Sequence, residues 1–333
     1  MNPISNTSVR YFAEVVRTGS IRAAAENLFV APSAISRQIG LIEEALGAPL
    51  LERRQGRGRV KLTAAGELVM RYYGTLRSES RRLYSEIESL RGLKKGEVRF
   101  GMPESLVRDV MPRFFSDFSQ RYPGITFFVQ VAGSPQLVER LLTDELDACF
   151  TFGDVPTNEL GVLHSRQLPL YVLVPTGHPL QGRPALRLAD CADYGLSLLD
   201  ATLWAKKQYD QMLAQAKVRP RTVLETNSYE LMRNVAAEGM CLAFTTVPIE
   251  DPAAKPRAGT YIPLRDPRAP PQRFALNVHK GRNLPPAALT FLSELTRRLV
   301  ALEELAQASA AALALPDAAT TKSSSKSAPT SPK

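Results

Sequence analysis

Three stretches decide the fold: Gly19-Ser20-Ile21-Arg22-Ala23-Ala24-Ala25, then Pro32-Ser33-Ala34-Ile35-Ser36-Arg37-Gln38-Ile39, then Leu62-Thr63-Ala64-Ala65-Gly66. Ser20 is placed to cap a helix, because its hydroxyl can accept from a free N–H of the first turn. The alanines behind it favour helix and let another helix cross closely. Pro32 suits the first position of the next helix, where its missing N–H would be unpaired anyway. Over the expected helix, residues 32–45, Ile35, Ile39 and Ile42, with Leu46 just beyond, recur at helical spacing as one inward stripe. Ser33, Ala34, Ser36, Arg37 and, further round, Gln38 are left outward near its start. Two short helices joined by a tight turn let the second lie in the major groove of DNA. Each serine has an equally good alternative use as a cap or backbone-bonding hydroxyl.

The flanks extend this unit. A helix expected over residues 7–17 supplies Val9, Phe12, Ala13, Val15 and Val16 as its packed face, and Leu28 and Val30 fill the space beneath the turn. Downstream, Arg53, Arg54, Arg57, Arg59 and Lys61 crowd around Gly56 and Gly58. That is the pattern of a β-hairpin whose cationic tip suits phosphates or a narrow minor groove. Residues 1–95 hold 16 Lys/Arg against 9 Asp/Glu, whereas residues 96–301 hold 23 against 21. The basic excess therefore sits on the segment that would meet a polyanion.

Thr63 is positioned to cap a long helix reaching about residue 91. Ala65, Val69, Tyr72, Leu76, Leu83, Ile87 and Leu90 follow steps of three and four along it, broken at Glu79 and Ser80. This is an imperfect coiled-coil seam, and it predicts pairing with a second copy. Residues 92–96 break the helix as a hinge, and strands then alternate with helices, which implies a parallel sheet covered by helices. Strands are expected at 97–101, 125–132, 148–152, 168–174, 196–199, 223–225, 241–245 and 274–279.

Taken in order, the Gly-Ser-x-x-x-Ala-Ala turn, the Ser36-Arg37-Gln38-Ile39 helix, the Leu51-Glu52-Arg53-Arg54 segment and the Leu62-Thr63-Ala64-Ala65-Gly66 exit resemble the LysR-type transcriptional regulators. Further on, Glu145-Leu146-Asp147, Leu173-Val174-Pro175-Thr176-Gly177-His178-Pro179-Leu180 and Val235-Ala236-Ala237-Glu238-Gly239-Met240 resemble that family's effector domain. The resemblance implies a winged helix-turn-helix over 1–62, a linker helix over 63–92 and a two-lobed α/β domain like periplasmic binding proteins over 93–303. In that division lobe I is about 97–165 and 268–303, lobe II is about 166–267, and 304–333 is a disordered tail rich in Ala, Ser, Thr, Pro and Lys.

The resemblance also implies which residues act. Ser20, Arg22, Pro32, Ser33, Ala34, Ser36, Arg37, Gln38, Arg53, Arg54, Arg57 and Arg59 are expected at DNA. Met102, Pro103, Glu104, Ser105, Gly133, Ser134, Ser197, Thr202, Asn227, Ser228 and Thr245 are expected at a cleft between the lobes. There, strand ends and helix N-termini offer free N–H groups. Two departures stand out. Where the family commonly has Ser/Thr-Gln-Pro, this chain has Ala31-Pro32-Ser33, losing a capping hydroxyl and a base-reading glutamine, so relatives' operators do not transfer. Glu104 would repel an anionic effector and points to an amine or a neutral one.

The expected function is therefore transcriptional control through promoter DNA, a small-molecule effector and self-association as a dimer or tetramer, with RNA polymerase a further candidate partner. An enzyme or a transported-solute binder on a similar two-lobed scaffold is the alternative. His164, His178 and His279 are scattered, and no Gly-x-Ser-x-Gly, P-loop or zinc spacing occurs, so no catalytic, metal or cofactor site is expected. Three widely spaced cysteines, no run of 18 apolar residues and no secretory signal in the first residues fit a cytoplasmic protein without a membrane span.

Overall fold

Ser5 caps α1 (Asn6–Thr18) by accepting from the Ser8 N–H, and Gly19 ends it at φ 72°. Ser20 caps α2 (Ile21–Leu28), accepting from the Ala23 N–H. Helix α3 (Pro32–Leu46) begins at the proline with no side-chain cap at Ala31. This computed structural model describes residues 4–52, 60–90, 95–108, 110–246 and 259–314. The three helices close on buried Val9, Phe12, Val15, Ala24, Ala25, Ile35, Ile39 and Ile42, joined by Leu50 and Val69. Leu46 leaves the expected stripe and is 43 % exposed, because α3 ends there, at Gly47. Leu51 and Leu62 form an isolated antiparallel bridge, and the Glu52 N–H donates to the Lys61 carbonyl at 2.9 Å.

Thr63 starts α4 (Ala64–Leu90), its hydroxyl accepting from the Gly66 N–H at 3.1 Å. The expected hinge falls mostly on residues 91–94, outside the described residues. The chain then runs β1 (Gly96–Met102), α5 (Val110–Arg121), β2 (Ile125–Val131), α6 (Ser134–Leu142), β3 (Ala148–Phe152) and β4 (Leu160–Leu168). The second lobe holds β5 (Leu170–Val174), β6 (Gly195–Leu199), α7 (Trp204–Ala216), β7 (Arg221–Thr226), α8 (Tyr229–Ala237), β8 (Leu242–Thr246) and β9 (Thr260–Pro263). The chain returns through β10 (Gln272–His279) to α9 (Pro286–Ala314).

The sheets are ordered β2-β1-β3-β10-β4 and β7-β6-β8-β5-β9. Each is mixed, not the parallel sheet that the alternation predicts. The β2-β1-β3 and β7-β6-β8 portions are parallel, whereas β10 and β5 run antiparallel to their neighbours. The reversal follows from the two crossings, at Pro169 and between β9 and β10, which bring strands in without a helical crossover. Phe100, Phe114, Phe118, Phe150, Phe274 and Phe291 fill the first lobe, with the Phe100 and Phe291 rings edge-on at 5.2 Å. Leu170, Val172, Leu196, Tyr209, Met232 and Phe244 fill the second.

Helix α9 corrects the expected tail. It continues to Ala314, well into the segment read as disordered from 304. An alanine-rich run extends a helix already nucleated upstream without needing to bury a core. Residues 315–333 lie outside the described residues. Among the described residues, no helix is long and apolar enough to cross a membrane.

Candidate DNA-reading head and ligand cleft

The N-terminal end of α3 stands open. Pro32, Ser33, Ser36 and Arg37 are exposed and Ala34 is half-buried, while Ile35, Ile39 and Ile42 anchor the opposite face. No acidic residue sits in its first turn, so the positive end of the helix is unopposed. Arg37 makes no ion pair with the described residues. The Ser36 hydroxyl donates back to the Pro32 carbonyl at 3.2 Å. Gln38 is half-buried and turned toward α1, where its side-chain oxygen accepts from Ser8 at 2.5 Å. Ser20 is committed to its cap, and Arg22 pairs with Glu26 at 3.6 Å on the surface. Arg53, Arg54, Arg57 and Arg59 lie outside the described residues.

Helix α4 has two faces. Val69, with Ala65 beside it, packs on the head, so these seam positions serve the chain's own core. Tyr72, Leu83, Ile87 and Leu90 are exposed, with Leu83 at 56 %. The other face seats on the first lobe. Gly74 meets the Thr143 carbonyl, Thr75 donates to Asp144 at 2.9 Å, and Arg282 donates to the Ser78 hydroxyl. Arg81 lies 3.5 Å from Asp147, and Arg282 is 3.1 Å from Asp144 and 3.4 Å from Asp147. Burial pushes the Asp147 carboxyl above its ordinary value, although Arg81, Arg282 and the Arg99 N–H oppose the shift. Burial likewise lowers Arg81. Sequence reasoning missed this seat, since Arg81, Asp144, Asp147 and Arg282 are far apart along the chain. A cavity of about 770 Å³ opens between α1, α4 and α6, walled by charged side chains of both signs. Its walls come from separate packing units and hold none of the strand-end residues expected at the effector.

Between the lobes is a smaller cavity of about 470 Å³. It gathers Pro103, Glu104, Gly133, Ser134, Thr202, Asn227 and Ser228, all expected from the sequence. Val131, Gln136, Phe152, Leu203, Ala205 and Tyr229 also line it and were not foreseen. Met102, Ser105, Ser197 and Thr245 do not line it; each is buried in its own lobe. Ser134 accepts from the Phe152 N–H at 2.9 Å, and the Thr202 hydroxyl donates to Asp200 at 2.5 Å. Ser228 caps α8, accepting from the Leu231 N–H at 3.1 Å. Glu104 reaches across from the first lobe, accepting from the Ser228 hydroxyl at 2.8 Å and the Tyr229 N–H at 2.5 Å. Among the described residues, no group of His, Cys, Asp and Glu could hold a metal ion.

Comparison with known proteins gives this geometry its context. The profile of bacterial regulatory helix-turn-helix proteins of the lysR family matches residues 7–67, and that of the LysR substrate binding domain matches residues 91–300. The HTH-type transcriptional activator CmpR of Synechocystis sp. is 28 % identical over 71 % of this chain and 77 % of its own length. A probable RuBisCO transcriptional regulator of Gracilaria tenuistipitata is 28 % identical over 74 % of this chain and 81 % of its own. The solved fold of full-length CbnR complexed with its target DNA is similar at TM-score 0.57 and 20 % identity, over 88 % of this chain and 99 % of that one. A cysteine variant of full-length OxyR from Pseudomonas aeruginosa gives 0.61 at 19 %, over 89 % and 96 %. The chain belongs to the LysR family: it is a DNA-binding transcriptional regulator with an effector-binding domain, not an enzyme.

Proposed function

We propose that two copies pair through the exposed seam of α4 and place two α3 helices in successive major grooves of promoter DNA. Arg37 and Ser33 approach the bases, and the arginines of residues 53–59 approach the backbone or minor groove. The observation that carries this reading is the open start of α3, where exposed Ser33 and Arg37 stand on a helix whose far face is fully buried. Ser36 and Gln38, bonded within the head, orient that end. Avidity of two linked heads supports adequate affinity, and tetramers and a contact with RNA polymerase extend the same scheme. The working compartment is the cytoplasm, where the promoter is.

The cleft between the lobes receives a small-molecule effector, and the two separate sheets support reading that domain as two lobes behind the head and linker helix. Effector binding shifts lobe closure, and the buried seat under α4 carries the shift to the heads. Gly133 faces Leu203 and Thr202 across the cavity. Gly133→Leu is expected to fill the cleft, abolishing the response of a promoter reporter to growth conditions while DNA retardation persists. A Gly133→Leu protein that still responds fully would remove the cleft from the mechanism.

A further inference from the structure

We propose that Glu104 is a built-in anion that fills the N terminus of α8, so that the ligand of the cleft is uncharged or cationic; this rests on the cleft being the sensing site. Both oxygens of Glu104 are engaged there, by the Ser228 hydroxyl and the Tyr229 N–H. The positive end of a nine-residue helix, an anion-binding feature in general, is thus already paired with a carboxylate from the other lobe. Among the described residues lining the cavity, Glu104 alone carries a charge. An anionic ligand would be stripped of water beside a fixed negative charge, with no lining guanidinium or ammonium to receive it. A ligand with N–H donors or an ammonium group meets the carboxylate and the side-chain oxygens of Gln136 and Asn227.

The same carboxylate ties the lobes together. Arg108 pairs with Glu230 at 3.2 Å, and Arg233 donates to the Ser105 carbonyl at 3.4 Å, both beside the Glu104 contact. A donor-bearing ligand at Glu104 therefore acts on the contacts that hold the lobes against each other.

The test uses full-length protein and the fluorescence of its single tryptophan, Trp204, the sequence neighbour of Leu203 and Ala205. Fluorescence is titrated with sodium succinate at constant ionic strength for the wild type, Glu104→Ser and Glu104→Gln. Binding of succinate to the basic head is common to all three, so the difference between them is read. Glu104→Ser frees the helix end and is expected to bind succinate at least about tenfold more tightly than the wild type. Glu104→Gln keeps the shape and removes the charge: its amide oxygen can still accept from the Tyr229 N–H, while its NH2 can only donate, to the Ser228 hydroxyl oxygen. It is expected to fall between the two, and it stands in if the serine variant does not fold. Succinate binding no tighter in either variant than in the wild type, including no binding to any of them, would overturn the proposal. That result leaves the sensing role of the cleft intact, which the Gly133→Leu reporter decides separately.

Discussion

A methyl group built on Gly74 would overlap the carbonyl oxygen of Thr143, so α4 lies directly on the turn that follows α6. Neither partner can yield, since the atom opposite is backbone. Gly74→Ala is expected to lift α4 from its seat and cost about 1–3 kcal/mol of stability. Thermal unfolding measures the loss, and faster hydrogen exchange in residues 134–147 locates it. Gly40→Ala on α3 is the control, because a methyl group there meets open space. It should stabilise by up to about 1 kcal/mol through helix propensity.

The exposed face of α4 gives an assembly prediction. Leu83 and Ile87 are both exposed, so Leu83→Glu with Ile87→Glu removes no core contact of the single chain. Sedimentation is expected to show monomers at concentrations where the wild type is dimeric, with the unfolding midpoint little changed. Operator affinity should fall on the order of 100-fold as avidity is lost. A variant that sediments like the wild type would place the pairing surface elsewhere.

What could be read from the sequence was what depends on local periodicity. Ile35, Ile39 and Ile42 share a face because a helix turns every 3.6 residues, and Ser20 caps because a serine before an alanine run has little else to do. Pro103, Gly133, Thr202 and Asn227 converge because they sit at strand ends, and strand ends of parallel sheets gather on one side. Contacts set by tertiary packing stayed hidden. Gln38 turns inward because Ser8 lies within reach, and Ser105, Ser197 and Thr245 are buried in their own lobes instead of lining the cavity. The ion cluster of Arg81, Asp147 and Arg282 joins residues whose spacing carries no pattern. Strands β4 and β9 also escaped notice, being edge strands with only partial burial.

Burial pushes the thiols of Cys149 and Cys191 up to about 12, from an ordinary value of 9.0. Below that ordinary value, both folded and unfolded chains keep these protons. Above it the unfolded chain ionises first, so stability is lost as pH climbs toward the folded value. Each thiol contributes up to about 1.4 kcal/mol per pH unit in that window. The urea midpoint of the wild type should therefore fall more steeply between pH 9 and 11 than that of a Cys149→Ala, Cys191→Ala variant. Slopes are compared, because the substitutions also remove packing. Equal slopes would show that these thiols are accessible.

The most direct measurement is binding of full-length protein to DNA from upstream of its own gene, by fluorescence anisotropy across a range of salt, for wild type and Arg37→Ala. The expected result is tighter binding than to an unrelated duplex, with log K falling linearly with log salt. Arg37→Ala should weaken the specific complex by about 1–3 kcal/mol and leave the unfolding midpoint unchanged. Equal affinity for both duplexes at every salt, or an Arg37→Ala protein that binds like the wild type, would contradict a base-reading α3.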